Sequence, residues 1–304
     1  MSRPNTIFFI HNPHAARGVT AGRVREFRST QGAEYDWAET TGPQHATELA
    51  RQAALDVAEI VVAVGGDGTV HEVINGLMSV PESARPKFGI LPVGSGDDFA
   101  FAARIPHDFE KAIAILLAGN STSVDIGWVE DNRGKKEYWN NTIGIGFDAR
   151  VTVRSRKHNV LHGVPMYFAA TLATLLRDHH HIDIELTLDS LRFSERVLML
   201  TLANGPREGG GFYTTPHSKI SDGIFEMLLV KPLSRLQMLM LLPKVLKGTH
   251  LTSSSVFHHP FESLELIAKQ PLVIHADGEI IAVPEDNVVK ITVGMLRNAL
   301  RVVS

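Results

Sequence analysis

One carboxylate stands among three glycines in Gly65-Gly66-Asp67-Gly68-Thr69, where the apolar run Ile60 to Val64 gives way to a segment of helical periodicity. Glycines let a backbone approach a ligand closely, and the unpaired N–H groups of a helix start favour an anion. A carboxylate beside a phosphate is repelled unless a divalent cation or its water shell lies between them. Asp67 therefore points to magnesium-nucleotide chemistry. The loop lacks the Lys-Ser/Thr pair of a Walker A sequence and the G-x-G-x-x-G spacing of a dinucleotide fingerprint.

The elements that must position this loop are legible around it. The valine-rich run before Gly65 has the pattern of a parallel strand covered on both faces. Thr69 and Glu72 have the Thr-x-x-Glu spacing of a capping box, and Val70, Val73, Ile74, Leu77 and Met78 fall on one helical face. Glu72 could therefore serve only as a cap, and Asp67 only as a turn residue. Strands are predicted near 6–10, 35–38, 59–64, 87–92 and 122–129, with helices between them, which makes a parallel α/β sheet. Farther on the pattern changes to short alternating strands, at Ile182 to Leu188, Val197 to Leu202 and Leu264 to Ile267, which predict an antiparallel sandwich. The change falls near the polar loop Glu130 to Lys136. At 304 residues, 44% of them hydrophobic, the chain exceeds what one core usually holds, so two domains are expected, 1–125 and 126–294.

Gly65 to Thr69 resembles the Gly-Gly-Asp-Gly-Thr signature of the diacylglycerol kinase catalytic-domain family, shared more distantly with NAD kinases and 6-phosphofructokinases. Further motifs follow in the family's order. Asn12-Pro13-His14-Ala15-Ala16-Arg17-Gly18 is similar to its first loop, and Glu39-Thr40-Thr41 to the end of its second strand, which places Thr40 at an ATP site. Leu91-Pro92-Val93-Gly94-Ser95-Gly96-Asp97-Asp98-Phe99-Ala100 resembles the Leu-Pro-x-Gly-Thr-x-Asn-Asp-Phe-Ala block. Ser95 keeps the hydroxyl of the usual threonine. Asp97 puts a charge in place of an amide, which could join metal binding, cap the helix or weaken nucleotide affinity.

The second half supplies the motifs that separate lipid kinases from the wider group. Asn140 to Ala149 and Ala203 to Gly211 resemble two of them, although both glycine runs could be plain turns. Pro216 to Glu226 is similar to a segment that forms a cation site in bacterial members. By that resemblance Asp222 supplies a carboxylate, and Lys219 and Ile224 supply main-chain oxygens. His275-Ala276-Asp277-Gly278-Glu279 is similar to the family's Asp-Gly-Glu, which makes Glu279 the expected catalytic base. Asp222-Gly223 and Asp277-Gly278 could each be only a hairpin turn.

The resemblance implies an N-terminal Rossmann-like parallel sheet with a C-terminal antiparallel β-sandwich, and a tail of about 295–304 that returns to the first domain. It implies a lipid kinase that uses ATP and Mg2+. ATP would be held by Thr40, Gly65, Gly66, Asp67, Gly68, Thr69, Glu72 and Ser95, with Asp67 acting through magnesium. The lipid hydroxyl would enter the cleft between the domains. Diacylglycerol is the first-choice acceptor, feeding phospholipid biosynthesis, and sphingoid bases remain open. NAD kinase, phosphofructokinase and a non-catalytic nucleotide- or lipid-binding regulator are the rivals. The NAD kinase lacks support because Asn140-Asn141-Thr142 continues into the lipid-kinase block, and the phosphofructokinase because arginine-rich sugar-phosphate motifs are missing.

A formal charge of −3 gives no global attraction to nucleic acid or to an anionic membrane. The absence of cysteine excludes disulfides, thiolate nucleophiles and cysteine-ligated zinc, and fits a reducing cytoplasm. The start Met-Ser-Arg-Pro-Asn lacks the apolar core of a signal peptide, and no run reaches the roughly 18 apolar residues of a spanning helix. A cytoplasmic protein is expected, with peripheral contact to the inner membrane face and a homodimer both open. Val164 to Leu176 and Leu233 to Leu246 read as helices with wide apolar faces that pack on the second domain. Arg235, Lys244 and Lys247 edge the second as they would an interfacial helix. His179-His180-His181 and His258-His259 are read as surface residues.

Overall fold

The computed structural model describes residues 6–15, 19–156, 163–178 and 180–304. Ala16 to Gly18 of the first loop and His179 of the histidine run lie outside them. The chain divides into two compact units, one of residues up to Val124 together with Asn298–Ser304, the other Asp125–Arg297.

In the first unit, strands and helices alternate as β1 (Ile7–His11), α1 (Val19–Ser29), β2 (Asp36–Glu39), α2 (His45–Leu55), β3 (Ile60–Gly65), α3 (Asp67–Met78), β4 (Lys87–Pro92), α4 (Asp98–Ala102) and α5 (Phe109–Ala118). The strands are parallel in the order β2-β1-β3-β4. Every residue of β3 is buried, as expected of a central strand covered on both faces. On one flank Phe9 stacks on Trp37 with ring centroids 4.3 Å apart, and Phe27 packs edge-on to both. Because β1 leads outward to β2 while β3 and β4 follow on its other side, the strand order reverses between β1 and β3. A crevice opens at the carboxyl ends of strands at such a switch point.

The second unit begins within β5 (Ser121–Asp131) and continues through β6 (Lys136–Trp139), β7 (Thr142–Gly146), α6 (Phe147–Ser155), α7 (Gly163–Arg177), β8 (Ile182–Leu188), β9 (Leu191–Val197), β10 (Met199–Ala203), β11 (Phe225–Val230), α8 (Arg235–Leu246), β12 (Val256–Phe261), β13 (Ser263–Ala268), β14 (Ile274–Ala276), β15 (Glu279–Ala282) and β16 (Lys290–Val303). One sheet has the order β12-β11-β10-β7-β14-β15 and is antiparallel throughout. In the other, β8 pairs with β9 and β13, and β13 pairs with Lys290 to Gly294, again all antiparallel. Both sheets contribute to one core, Leu202 and Phe225 from one side meeting Trp139, Leu186, Leu266 and Ile291 from the other. This is the expected sandwich. The run Val197 to Leu202, predicted as one strand, is broken at Leu198, so that Val197 ends β9 and Met199 opens β10.

The last strand leaves the second unit near Arg297 and ends in the first, where Val302 pairs in parallel with Phe88 and Arg85 Nη1 donates to the Ala299 carbonyl at 3.0 Å. A second apolar cluster, with Phe147, Val151, Ala170, Leu175 and Val230, lies under α6 and α7. The helix α8 packs on this cluster through Met238 and Leu241, as expected, but none of its residues is fully buried, and Leu236 and Met240 are 67% and 58% exposed. Among the described residues no helix is long and apolar enough to cross a membrane.

Candidate functional site

At the carboxyl ends of β3 and β4 the two glycine loops meet. A Cβ on Gly94 would sit 2.5 Å from the Gly66 Cα, and one on Gly65 2.3 Å from the Thr69 hydroxyl, so both positions depend on glycine. The helix α3 begins at Asp67, with Gly66 as its cap residue in extended conformation and no side-chain cap. The expected Thr69–Glu72 capping box is therefore not formed. The helix starts two residues before Thr69, and Glu72 is spent elsewhere: its carboxylate accepts the Gln44 and Ala46 N–H groups at 2.9 and 3.1 Å, closing the start of α2. Thr69 Oγ1 instead accepts the Asn12 amide at 3.1 Å, which ties the end of β1 to the first turn of α3 across the switch point. Asp67 Oδ1 accepts the Asp98 N–H at 2.7 Å, joining the two glycine loops a second time.

Asp97 adopts a left-handed backbone with φ 51°, which Asn and Asp tolerate better than other side chains. Its carboxylate turns back on the loop, where Oδ1 accepts the Gly94 N–H at 3.2 Å and Oδ2 lies 2.9 Å from His107 Nδ1. One oxygen of this charge, which stands where the resembled motif has asparagine, thus meets a backbone donor, and an imidazole lies beside the other. Ser95 is exposed at the loop tip, and Thr40 is buried just past β2, its N–H donating to the His11 carbonyl at 2.9 Å. Burial holds the His11 imidazole below its ordinary pKa, against the raising effect of Glu39 at 3.8 Å. Asn12, Thr40, Gly65 to Thr69 and Gly94 to Asp98 all follow strands of the same parallel sheet at its carboxyl side.

In the second unit the centre is Asp277. Its Oδ2 accepts the Asn140 N–H and side-chain amide at 3.0 and 2.8 Å, and its Oδ1 accepts the Asn141 and Thr142 N–H groups at 2.8 and 3.0 Å. Asp277 and Gly278 both have positive φ, 52° and 83°, and join β14 to β15 in a two-residue turn, so the hairpin reading is correct for these two residues. The turn's product is the position of Glu279 as the first residue of β15. Arg156 binds this corner through one nitrogen, 2.8 Å from the Gly278 carbonyl and 2.5 Å from Glu279 Oε2.

Beside the turn lies a buried pair. His275 Nε2 is 3.2 Å from Asp148 Oδ2, and His275 Nδ1 accepts the Gly278 N–H at 3.2 Å. That acceptance places the neutral ring's proton on Nε2, which then donates to Asp148. Gly144 leaves room for the pair, since a Cβ there would fall 2.1 Å from Asp148 Oδ2. Asp148, Glu208 and His275 offer ligand atoms within 4.8 Å of one another. A cation there would have to displace the Nε2 proton, so the hydrogen bonding favours a supporting pair over a metal-binding imidazole. Asp148 and Glu208 also line a cavity of about 90 Å³ whose walls include Tyr167, Met199, Leu228 and Met238.

Asp222, expected to bind a cation, is exposed, with Oδ1 accepting the Ile224 N–H at 3.2 Å; Lys219 is exposed in the same loop. A carboxylate with main-chain carbonyls would be an all-oxygen donor set, the kind that suits a hard divalent cation. A neighbouring carboxylate escaped sequence reasoning. Asp125, 2% exposed in β5, accepts the Gly223 N–H at 2.8 Å, while its own N–H donates to the Ile220 carbonyl at 2.7 Å. The signal was available: a lone Asp inside Val124-Asp125-Ile126 is a charge in an apolar strand. Asp148 and Arg156 were also passed over, Asp148 inside a longer motif and Arg156 because only folding brings it to Glu279. His258, read as a surface residue, is half-buried and pairs with Glu226 at 2.6 Å.

Comparison with known proteins agrees with both halves. The diacylglycerol kinase catalytic domain model matches residues 6–129, and that of the YegS C-terminal NAD kinase beta sandwich-like domain matches residues 141–303. A probable lipid kinase, YegS-like, of Chromohalobacter salexigens is 31% identical over 265 residues, covering 85% of this chain and 80% of that protein. A protein of Bacillus subtilis named diacylglycerol kinase is 27% identical over 277 residues, covering 89% and 88% of the two chains. The fold matches that of a solved diacylglycerol kinase from Bacillus anthracis with a TM-score of 0.73 at 18% identity, covering 98% of this chain and 96% of the other. The chain belongs to the diacylglycerol kinase catalytic-domain family and is a diacylglycerol kinase-like lipid kinase.

Proposed function

We propose that the protein transfers the γ-phosphate of ATP to the hydroxyl of diacylglycerol, with magnesium, forming phosphatidic acid. The observation that carries this is the meeting of the two glycine loops beside the switch point, with Asp67 at the start of α3 and Ser95 exposed in the second loop. Gly66 and Gly68 would bring backbone N–H groups to the phosphates and Ser95 a hydroxyl, while Gly65 and Thr69, packed on each other, would hold the loop's shape. Thr40 would border the nucleotide. Magnesium, when bound, would neutralise charge on the phosphates, with Asp67 holding it through its water shell. Lys219, Asp222 and Ile224 would hold a second cation that stabilises their loop. Glu279 would take the acceptor's proton as its oxygen bonds to the γ-phosphorus and ADP leaves. The Asp277 network and Arg156 hold that carboxylate in place.

The name of the Bacillus subtilis relative supports diacylglycerol as the acceptor, and sphingoid bases are the next candidates. Asp97, the one feature favouring a non-catalytic regulator, is accommodated by Gly94 and His107, which supports a working loop. The test is phosphate transfer from labelled ATP, with magnesium, to a panel of diacylglycerols, ceramide, sphingosine and NAD. Phosphatidic acid is expected, with turnover reduced about 10²- to 10⁴-fold in Glu279→Ala and lost in Asp67→Ala. Phosphorylation of NAD alone would sink the proposal.

A further inference from the structure

A solvent-facing helix normally shows water a polar face. The helix α8, with the sequence Arg-Leu-Gln-Met-Leu-Met-Leu-Leu-Pro-Lys-Val-Leu, does not. Its inner side, with Met238, Leu241, Leu242 and Val245, lines the apolar cavity of the second unit. Its outer side presents Leu236 and Met240, which are 67% and 58% exposed, with Leu239, 42% exposed, at the border between cavity and solvent. The helix does not need burial to begin, because Ser234 and Gln237 form a complete capping box.

The charges around it point to its occupant. Between Glu226 and Glu262 the sequence holds no carboxylate, yet it carries Lys231, Arg235, Lys244 and Lys247, in a chain whose net charge is −3. Arg235, Lys244 and Lys247 are exposed and flank the apolar stripe at its two ends. We infer that α8 docks on an anionic lipid bilayer, its outer leucines and methionine entering the headgroup boundary and its cations contacting lipid phosphates. The inference rests on the lipid-kinase reading for its biological purpose. A two-fold contact through the same face would set these cations against one another, whereas an anionic surface attracts each of them by about fivefold in affinity. Docking would also bring the cavity behind α8 to the surface from which an acyl chain comes.

The experiment is sedimentation with vesicles of phosphatidylcholine and phosphatidylglycerol in equal parts, against phosphatidylcholine alone, without nucleotide. The wild type is expected to bind the anionic vesicles at least about tenfold better, with binding weakened by salt. Leu236→Glu with Met240→Glu is expected to lower binding tenfold or more. Lys244→Ser with Lys247→Ser is expected to lower it about 25-fold, and Leu191→Glu, on exposed β9, to leave it unchanged. Circular dichroism checks that each variant folds, and the lysine pair keeps the test decisive if the glutamates disturb the helix. Equal binding to both vesicles, or wild-type binding by the two α8 double variants, would overturn the inference. So would a wild-type dimer that the glutamates dissociate and that ignores vesicles, which would assign the face to a second copy. Because no turnover is read, failure here and failure of the kinase proposal are separate results.

Discussion

Replacing Asp277 by Asn tests whether a carboxylate's hydrogen bonds, rather than its place beside Glu279, explain its position. The carboxylate accepts four N–H donors, three from backbone and one from the Asn140 side chain. Asparagine keeps the shape and tolerates φ 52°, but its amide has one acceptor oxygen. That oxygen can serve one pair of donors, while the NH2 group is pushed against the other pair. Two buried donors lose their partner, and each loss costs about 1–3 kcal/mol. With partial relaxation, the loss in the second unit should be about 3 kcal/mol, which lowers its unfolding midpoint by roughly 6–12 °C. Trp139, fully buried one residue before Asn140, reports this transition by fluorescence. Asp277→Ala should cost about 1 kcal/mol more, because alanine is strained in the left-handed region. A loss below about 1 kcal/mol for Asp277→Asn would refute the reasoning.

Gly94→Ala forces a Cβ to 2.5 Å from the Gly66 Cα, so the two loops must separate; titration with ATP should show affinity reduced at least about tenfold, while the Trp139 transition stays in place. Glu72→Gln weakens the closure of the α2 start and should destabilise the first unit by about 1 kcal/mol, with Trp37 as the probe; a loss of ATP affinity without loss of stability would instead make Glu72 a ligand contact. Burial lowers the pKa of His250, so the folded state resists protonation where the unfolded state accepts it. Stability should therefore fall as pH drops below the ordinary imidazole range, and His250→Gln, which keeps a donor for the Thr214 carbonyl, should flatten that slope in denaturation curves between about pH 7 and 5.

The early strands were readable because β1, β3 and β4 are continuous apolar runs, and a run buried on both faces needs no partner to be recognised. The glycine loops were readable because only glycine survives their close approach. Glu72 was misread because its spacing to Thr69 fits a capping box, whereas its true partners lie up to 28 residues away at the start of α2. Spacing describes one helix, and the competing acceptor site belonged to another. Arg156 reaches Gly278 across 122 residues, and no local pattern anticipates that contact. The exposed outer side of α8 was hidden for a related reason: an apolar face has the same composition whether it meets a core or solvent.

The return of β16 to the first unit bears on the order of manufacture. Arg85 and Ala299 are separated by 214 residues and join only after the whole second unit has been synthesised. Until then the edge of β4 beside Phe88 lacks its strand, and an unpaired edge is where nascent chains pair wrongly. The parallel sheet of the first unit is thus synthesised before the second unit and completed after it.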